Sequence, residues 1–266
     1  METKELKVAI IGAGNMGGAI ARGLAKGRMI SASHISVSDI NESNLSAIRA
    51  AFPAINTYTA NDQMVEDAHI IILAVKPWLV EPVAEEIEKL IDYKRQIIVS
   101  VAAGVDFGKL VDYFDSKATL FRVIPNTAID VLQSVSTVSS HNANEEQTNL
   151  ILDLFSELGK TFHVPESQLN AFMSLSSCGI AYAFRYIRAA MEGGVEMGIY
   201  PNVAKDVVLQ TLRGAIDLIE ANGSHPEVEI DKVTTPGGIT IKGLNEMEAN
   251  RFSNAVIKGL KASQLK

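Results

Sequence analysis

The six residues Gly12-Ala13-Gly14-Asn15-Met16-Gly17 constrain this chain more than any other stretch. They follow a continuous apolar run, Val8-Ala9-Ile10-Ile11, and open a segment of helical periodicity. In a strand that turns into a helix through this spacing, each glycine has its own physical task. The first permits the tight turn, the second lets backbone approach a pyrophosphate, and the third lets helix and strand pack closely. The helix start then offers free N–H groups and a positive dipole end to phosphates. The competing reading is a glycine-rich turn without a ligand, and the strand–turn–helix context weighs against it.

The rest of the first half repeats this alternation. Strands are expected at Lys7–Ile11, Ile35–Ser38, Ile70–Ala74, Ile97–Val101, Thr119–Val123 and Ser134–Ser139. Helices are expected at Gly17–Gly27, Ser43–Ala51, Val80–Ile91 and Phe107–Phe114. The unbroken apolar runs suit strands covered on both faces of a parallel sheet, so the fold class is α/β with a doubly wound, Rossmann-type sheet. After Val164-Pro165 the pattern becomes helical. The spacing predicts one long helix from Leu169 to Met197, apolar nearly all round, then a second from Pro201 to about Ala221, capped by Asn222-Gly223. A loop from Ser224 to Gly238 and a last helix from about Thr240 to Ala262 complete the chain. This divides it into a nucleotide-binding domain, 1–163, and an all-helical domain, 164–266; its first long helix must be buried, and a partner subunit is one source of part of that burial.

Other turns belong to the same crevice, because ligands of open parallel sheets bind beyond the carboxyl ends of the strands. Asp39 ends the second strand 22 positions after Gly17. It either accepts from a ribose 2′-hydroxyl, favouring NADH, or caps the following turn. Ala74-Val75-Lys76-Pro77 and Ala102-Ala103 end the next two buried strands. Lys76 either faces the cofactor or holds its turn. The small residues at 102 and 103 leave room for a flat nicotinamide. In the second half, Thr235-Pro236-Gly237-Gly238-Ile239-Thr240 forms a bend whose last residues start a helix. It is either a carboxylate pocket of N–H groups and hydroxyls or an ordinary capped turn.

Composition narrows the chemistry. A net charge of −7 argues against a nucleic-acid partner. One cysteine, Cys178, precludes an internal disulfide and fits a cytoplasmic protein. No apolar run reaches membrane length, and no secretory signal is expected. Metal-ligand spacings and a nucleophile elbow are absent, so no metal is expected. A hydride transfer, in which the cofactor carries the chemistry, fits such sparse acid–base equipment.

With these blocks in view the sequence resembles pyrroline-5-carboxylate reductase over nearly its whole length. The resemblance rests on Gly12–Gly17 with Met16, Asn61 in Thr59-Ala60-Asn61-Asp62, Ala74-Val75-Lys76-Pro77, Ser100-Val101-Ala102-Ala103-Gly104-Val105 and Arg122-Val123-Ile124-Pro125-Asn126-Thr127. Its most specific part is His225-Pro226 followed by Asp231-Lys232-Val233-Thr234-Thr235-Pro236-Gly237-Gly238-Ile239-Thr240. The resemblance implies NADPH or NADH as cofactor, the family favouring NADPH where Asp39 favours NADH, and an imine carboxylate substrate, 1-pyrroline-5-carboxylate, reduced to L-proline. It implies that Thr240 bonds the ring nitrogen, that Thr235 and the backbone of Gly237, Gly238 and Ile239 hold the carboxylate, and that Asn61 meets the cofactor. It also implies a homodimer through the C-terminal helices, often assembled further. Where the family usually reads Thr-Ala-x-Ser-Gly-Ser-Gly-Pro-Ala-Tyr, this chain departs at Met173, Ser177, Cys178 and Ile180. Ala128 and Asn170 replace the usual Pro and Asp. These departures leave a related imine reductase, or an NAD(P)-sensing protein without turnover, as competing readings.

Overall fold

A computed structural model describes residues 5–264. The ends of the two sequence-drawn domains, residues 1–4 and 265–266, lie outside them. The chain forms two compact units, the first running to Ser177 and the second spanning Cys178–Gln264.

The first unit carries eight strands: β1 (Val8–Ile11), β2 (Ile35–Ser38), β3 (Asn56–Tyr58), β4 (Ile70–Leu73), β5 (Ile97–Ser100), β6 (Thr119–Ile124), β7 (Ser134–His141) and β8 (Gly159–His163). They form one sheet in the order β3-β2-β1-β4-β5-β6-β7-β8. The order reverses at β1, which pairs in parallel with both β2 and β4. The length of one connection explains why the sheet is not parallel throughout. β6 and β7 are joined only by the short segment 125–133, too little for a crossover helix, and they pair antiparallel.

Six helices cover the sheet: α1 (Asn15–Lys26), α2 (Glu42–Ala51), α3 (Asp62–Val65), α4 (Val80–Ile87), α5 (Phe107–Tyr113) and α6 (Glu145–Ser156). The period of two along each strand sorts them. Val8, Ile10, Ile70 and Ile72 point into a core with α1, α2 and α6. Ala9, Ile11, Ile71 and Leu73 point into a second core with α3, α4 and α5. β1, β4 and β5 are therefore buried along their whole length, as their apolar runs require.

Several elements were not visible in the sequence. β3 and β8 are partly exposed, polar edge strands with no apolar run to betray them. α6 has a capping box, in which Asn144 and Gln147 exchange side-chain and backbone hydrogen bonds.

The first unit ends with a short helix, α7 (Leu169–Met173), whose Leu169 and Met173 pack with Ile124. The expected continuous helix from Leu169 to Met197 is interrupted: a π-helical turn, Ser174–Cys178, separates α7 from α8 (Gly179–Glu196). Serine hydroxyls there bond back to the preceding turn, Ser174 to the Asn170 carbonyl and Ser176 to the Phe172 carbonyl, which loosens regular helix spacing. Ser177 instead donates to the Pro125 carbonyl at 3.0 Å. The helical character of the sequence thus begins before the boundary of the compact units, just after the sheet ends at His163.

In the second unit α8 is followed by α9 (Pro201–Asn222), with Pro201 in its first turn and Gly223 as a left-handed C-cap. The two pack closely where Gly194 meets Ala204, since a Cβ on Gly194 would lie 3.1 Å from the Ala204 Cβ. Two expectations are corrected here. The segment expected as a loop contains α10 (Pro226–Lys232), started by Pro226 and capped by the His225 ring. The last helix is two, α11 (Ile239–Ala249) and α12 (Phe252–Ala262), parted at Arg251, whose φ of 64° cannot continue a right-handed helix. Among the described residues no helix is long and apolar enough to cross a membrane, and no cluster of three or more His, Cys, Asp or Glu is suited to a metal.

Candidate functional site

The first glycine bend lies at the carboxyl end of β1, where the strand order reverses. Gly12 adopts φ 100° and donates its N–H to the Ser38 carbonyl at 2.8 Å. A Cβ there would sit 2.7 Å from the Ala74 carbonyl oxygen, so only glycine fits. A Cβ on Gly17 would come within 1.9 Å of the Gly12 carbonyl oxygen and 2.9 Å of the Ala74 Cβ. Gly14 differs from both. It is the N-cap of α1, offers no side-chain acceptor to the helix, and a Cβ on it would meet nothing within 4 Å. The bend is therefore closed on the protein side and open beyond Gly14, where the first N–H groups of α1 emerge. That is the shape a dinucleotide pyrophosphate needs: space for its oxygens against backbone donors and the positive end of a twelve-residue helix.

Asp39 stands beside this opening. One carboxylate oxygen accepts the Ala13 N–H at 2.7 Å and the Asn44 amide at 3.2 Å, and the other accepts the Asn41 N–H at 2.7 Å. The turn-capping role is thus real, while the cap of α2 itself is Asn41. Ser38 donates its hydroxyl to the Asn61 carbonyl oxygen at 2.6 Å, and the Asn61 amide donates to Glu86 at 2.8 Å. Sequence reasoning missed Ser38, Asn44 and Glu86 because each contributes one short polar side chain with no motif of its own.

The remaining residues expected at the cofactor follow the carboxyl ends of β4 and β5. Ala74 donates its N–H to the Ile11 carbonyl, and Val75 lies beside Gly12. Lys76 is exposed and caps the short helical turn Pro77–Leu79. Ala102 is buried in the core and Ala103 is exposed, so only the second can present its side chain to a ligand. Arg122, 6% exposed, pairs with Glu166 at 2.6 Å, and Glu166 also accepts the Phe107 N–H. This ties β6, α5 and the approach to α7 together. Asn126 accepts the Ala128 N–H and so caps the turn after β6.

The second glycine bend belongs to the second unit. Gly237 has φ 74°, and Gly238 is the N-cap of α11 and donates its N–H to the Thr235 carbonyl at 3.0 Å. The helix cap is thus Gly238, which leaves the Thr240 hydroxyl outside the capping role. Thr235, Gly237, Ile239 and Thr240 are all exposed, Ile239 at 85%. The bend is preceded by a polar knot: Glu229 of α10 accepts from Lys232, Ser224 and Asn222. Chiefly through the Lys232 and Ser224 bonds, its carboxyl is held down at about 2.

Comparison with known proteins bears on both units. Residues 166–266 match the family model of pyrroline-5-carboxylate reductase dimerisation, and residues 7–104 match that of the coenzyme F420-dependent NADP oxidoreductases. A pyrroline-5-carboxylate reductase of Arabidopsis thaliana is 32% identical over 98% of this chain and 95% of its own length. Pyrroline-5-carboxylate reductase 1 of Dictyostelium discoideum is 34% identical over 96% of this chain, which spans about half (48%) of that longer protein. Among solved structures, the Plasmodium falciparum pyrroline carboxylate reductase with NADP bound superposes with a TM-score of 0.89, at 26% identity over 98% of this chain and 96% of that one. A pyrroline-5-carboxylate reductase from Coxiella burnetii gives 0.88, at 25% identity over 98% and 96%.

Proposed function

Because this chain belongs to the pyrroline-5-carboxylate reductase family, we propose that its two glycine bends divide one reaction, the first holding NAD(P)H and the second the imine. The chain is an NAD(P)H-dependent oxidoreductase acting on a C=N bond. The chemistry that reduced nicotinamide supplies when bound is a hydride for the C=N carbon of 1-pyrroline-5-carboxylate, and protonation at nitrogen completes L-proline.

The residues of this chain bind and orient. The N–H groups beyond Gly14 hold the pyrophosphate, with Ala13, Asn15 and Met16 shaping the bend. Asp39 and Asn61 flank the ribose, Ala74 to Pro77 line the crevice, and Ala103 leaves a flat surface for the nicotinamide. In the second bend the N–H groups of Gly237 to Thr240 and the Thr235 hydroxyl receive the substrate carboxylate. The Thr240 hydroxyl, free of any capping duty, bonds the ring nitrogen and keeps the imine carbon presented to the hydride. Positioning supplies most of the rate gain in such a step, since a protonated imine is already a good hydride acceptor. The single observation that carries the nucleotide half is the bend closed at Gly12 and Gly17 and open at Gly14.

A homodimer through α8 to α12, with further assembly of such dimers, completes the reading. It is supported by the dimerisation model over residues 166–266 and by apolar side chains left exposed on these helices, among them Phe184, Val207 and Ile216.

Purified protein given 1-pyrroline-5-carboxylate and a reduced nucleotide should oxidise the nucleotide and form proline. Thr240→Ala should lower kcat/KM about 100-fold, as expected for one lost transition-state donor, with nucleotide affinity unchanged. Nucleotide binding without turnover of the imine would overturn the substrate assignment, and an undiminished Thr240→Ala variant would overturn the role of the second bend.

A further inference from the structure

The Asp39 carboxylate is held by three donors from three places: the Ala13 N–H inside the glycine bend, the Asn41 N–H two residues on, and the Asn44 side chain from the first turn of α2. A carboxylate so fixed cannot rotate away from an incoming group. Its immediate neighbour Ser38 is bonded to Asn61, and Asn61 is bonded in turn to Glu86, so a second carboxylate is tethered through two hydrogen bonds to the same strand end. Positive charge is scarce there. From Asp39 onward the first cationic residue is Arg49, and its guanidinium is engaged by Glu42 and the Thr57 hydroxyl. In nucleotide-binding sheets of this kind, the acidic residue ending the second strand meets the ribose 2′ position, and a 2′-phosphate needs a nearby cation instead.

We infer that this chain prefers NADH to NADPH, and that the fixed carboxylate of Asp39, backed by Glu86, is the discriminating feature. The inference rests on the reading of the first glycine bend as the nucleotide site. A 2′-hydroxyl can donate to the lone pair that remains on Asp39, whereas a 2′-phosphate would bring its own negative charge against two carboxylates, and the next cation along the chain, Arg49, is already engaged. This separates the chain from the Plasmodium relative, whose structure holds NADP. Asp39 also has a second duty, because the bond to Ala13 pins the bend that carries the pyrophosphate donors. Charge and tether are therefore separable by substitution. Asp39→Asn keeps an oxygen to accept the Ala13 N–H and removes the charge, while Asp39→Ala removes both.

The test is the affinity of the full-length protein for NADH and for NADPH, without any imine, by titration calorimetry. Quenching of Trp78, the sole tryptophan, exposed just beyond Lys76-Pro77, serves as an independent readout. In the unaltered protein NADH should bind at least about tenfold more tightly, a difference of about 1.4 kcal/mol. Asp39→Asn should cut that ratio about tenfold, chiefly by tightening NADPH. Asp39→Ala should weaken NADH as well, because the bend loses its tether. Equal or tighter binding of NADPH by the unaltered protein would overturn the inference, as would a ratio that Asp39→Asn leaves unchanged. If neither nucleotide binds, the nucleotide site and this inference fall together. If both titrate as expected and the imine is not reduced, the substrate reading alone falls and the preference for NADH stands.

Discussion

The two units of this chain solve the same problem to different degrees of completion. In the first, strands β1, β4 and β5 are buried at every residue, and two apolar cores close around the sheet. In the second, only Gly194 and Ala204 are buried among the described residues of α8 to α12, while Phe184, Met197, Val207 and Ile216 are each more than half exposed. The glycine bends follow the same division. The first is pinned by Ser38, Asp39 and Ala74. The second is held by one backbone bond from Gly238 to Thr235 and stands exposed. One half of the sequence therefore encodes a finished object. The other encodes a surface whose burial must come from elsewhere, and under the proposed function that is a second copy.

The largest expected effect comes from attacking the unfinished half. Val207 and Ile216 lie on α9 and are 54% and 56% exposed in the single chain. Burying each against a second copy stabilises the assembly by about 2 kcal/mol, and a symmetric interface counts each residue twice. Val207→Asp combined with Ile216→Asp should therefore shift the protein from dimer or larger assembly to monomer at micromolar concentration, measured by sedimentation velocity. Imine reduction should be lost with it, while nucleotide binding persists because the first unit has its own core. A doubly substituted protein that sediments like the unaltered one would break the comparison.

The next effect in size lies within the finished half and divides two glycines of one motif. Gly17→Ala forces a methyl group to within 1.9 Å of the Gly12 carbonyl, a backbone contact that no side-chain rotation relieves. It should cost more than about 4 kcal/mol of stability, at the extreme of single substitutions, read from urea unfolding of the first unit. Gly14→Ala meets no atom within 4 Å. It should leave the unfolding midpoint within about 0.5 kcal/mol of the original and weaken nucleotide binding roughly tenfold or more, because the methyl enters space meant for phosphate. If Gly14→Ala binds nucleotide normally, the opening beyond Gly14 is not the pyrophosphate site.

This division also explains what the sequence made legible. A parallel strand buried on both faces has no freedom to be anything but apolar, so β1, β4 and β5 could be read directly. The motif at 12–17 could be read because its spacing between strand and helix is itself the signal, whatever Gly12 and Gly17 meet across the sheet at Ala74. Edge strands β3 and β8 escaped because their residues are half polar and they borrow order from neighbours. In the helical half, legibility failed where polar bonds rather than burial set the chain's path. The π-helical turn at Ser174–Cys178, the helix α10 inside the supposed loop and the break at Arg251 leave no mark in hydrophobic periodicity. At the candidate site the glycines and Asp39 were readable, but the Ser38–Asn61–Glu86 chain was not. It joins residues far apart in sequence through single hydrogen bonds, and periodicity carries no record of those.

The smallest expected effect tests whether polar bonding orders the second unit where burial does not. Glu229 accepts from Lys232, Ser224 and Asn222, and these bonds lower its carboxyl from 4.5 to about 2. A carboxyl lowered in the folded state stabilises that state fully above its unfolded value. The contribution then fades as pH falls from about 4.5 towards 2. Glu229→Gln removes it at every pH. Amide-exchange protection of α10 should therefore be greater in the unaltered protein than in Glu229→Gln at pH 6, and the gap should narrow steadily from pH 4.5 to pH 3. Protection of β1, β4 and β5 should not differ between the two proteins at any of these pH values, because their order comes from apolar contacts that no proton reaches. A gap in α10 that stays constant down to pH 3 would mean that the charge of Glu229 does not hold this segment. The second unit would then depend on its partner surface even for the local order that precedes the bend.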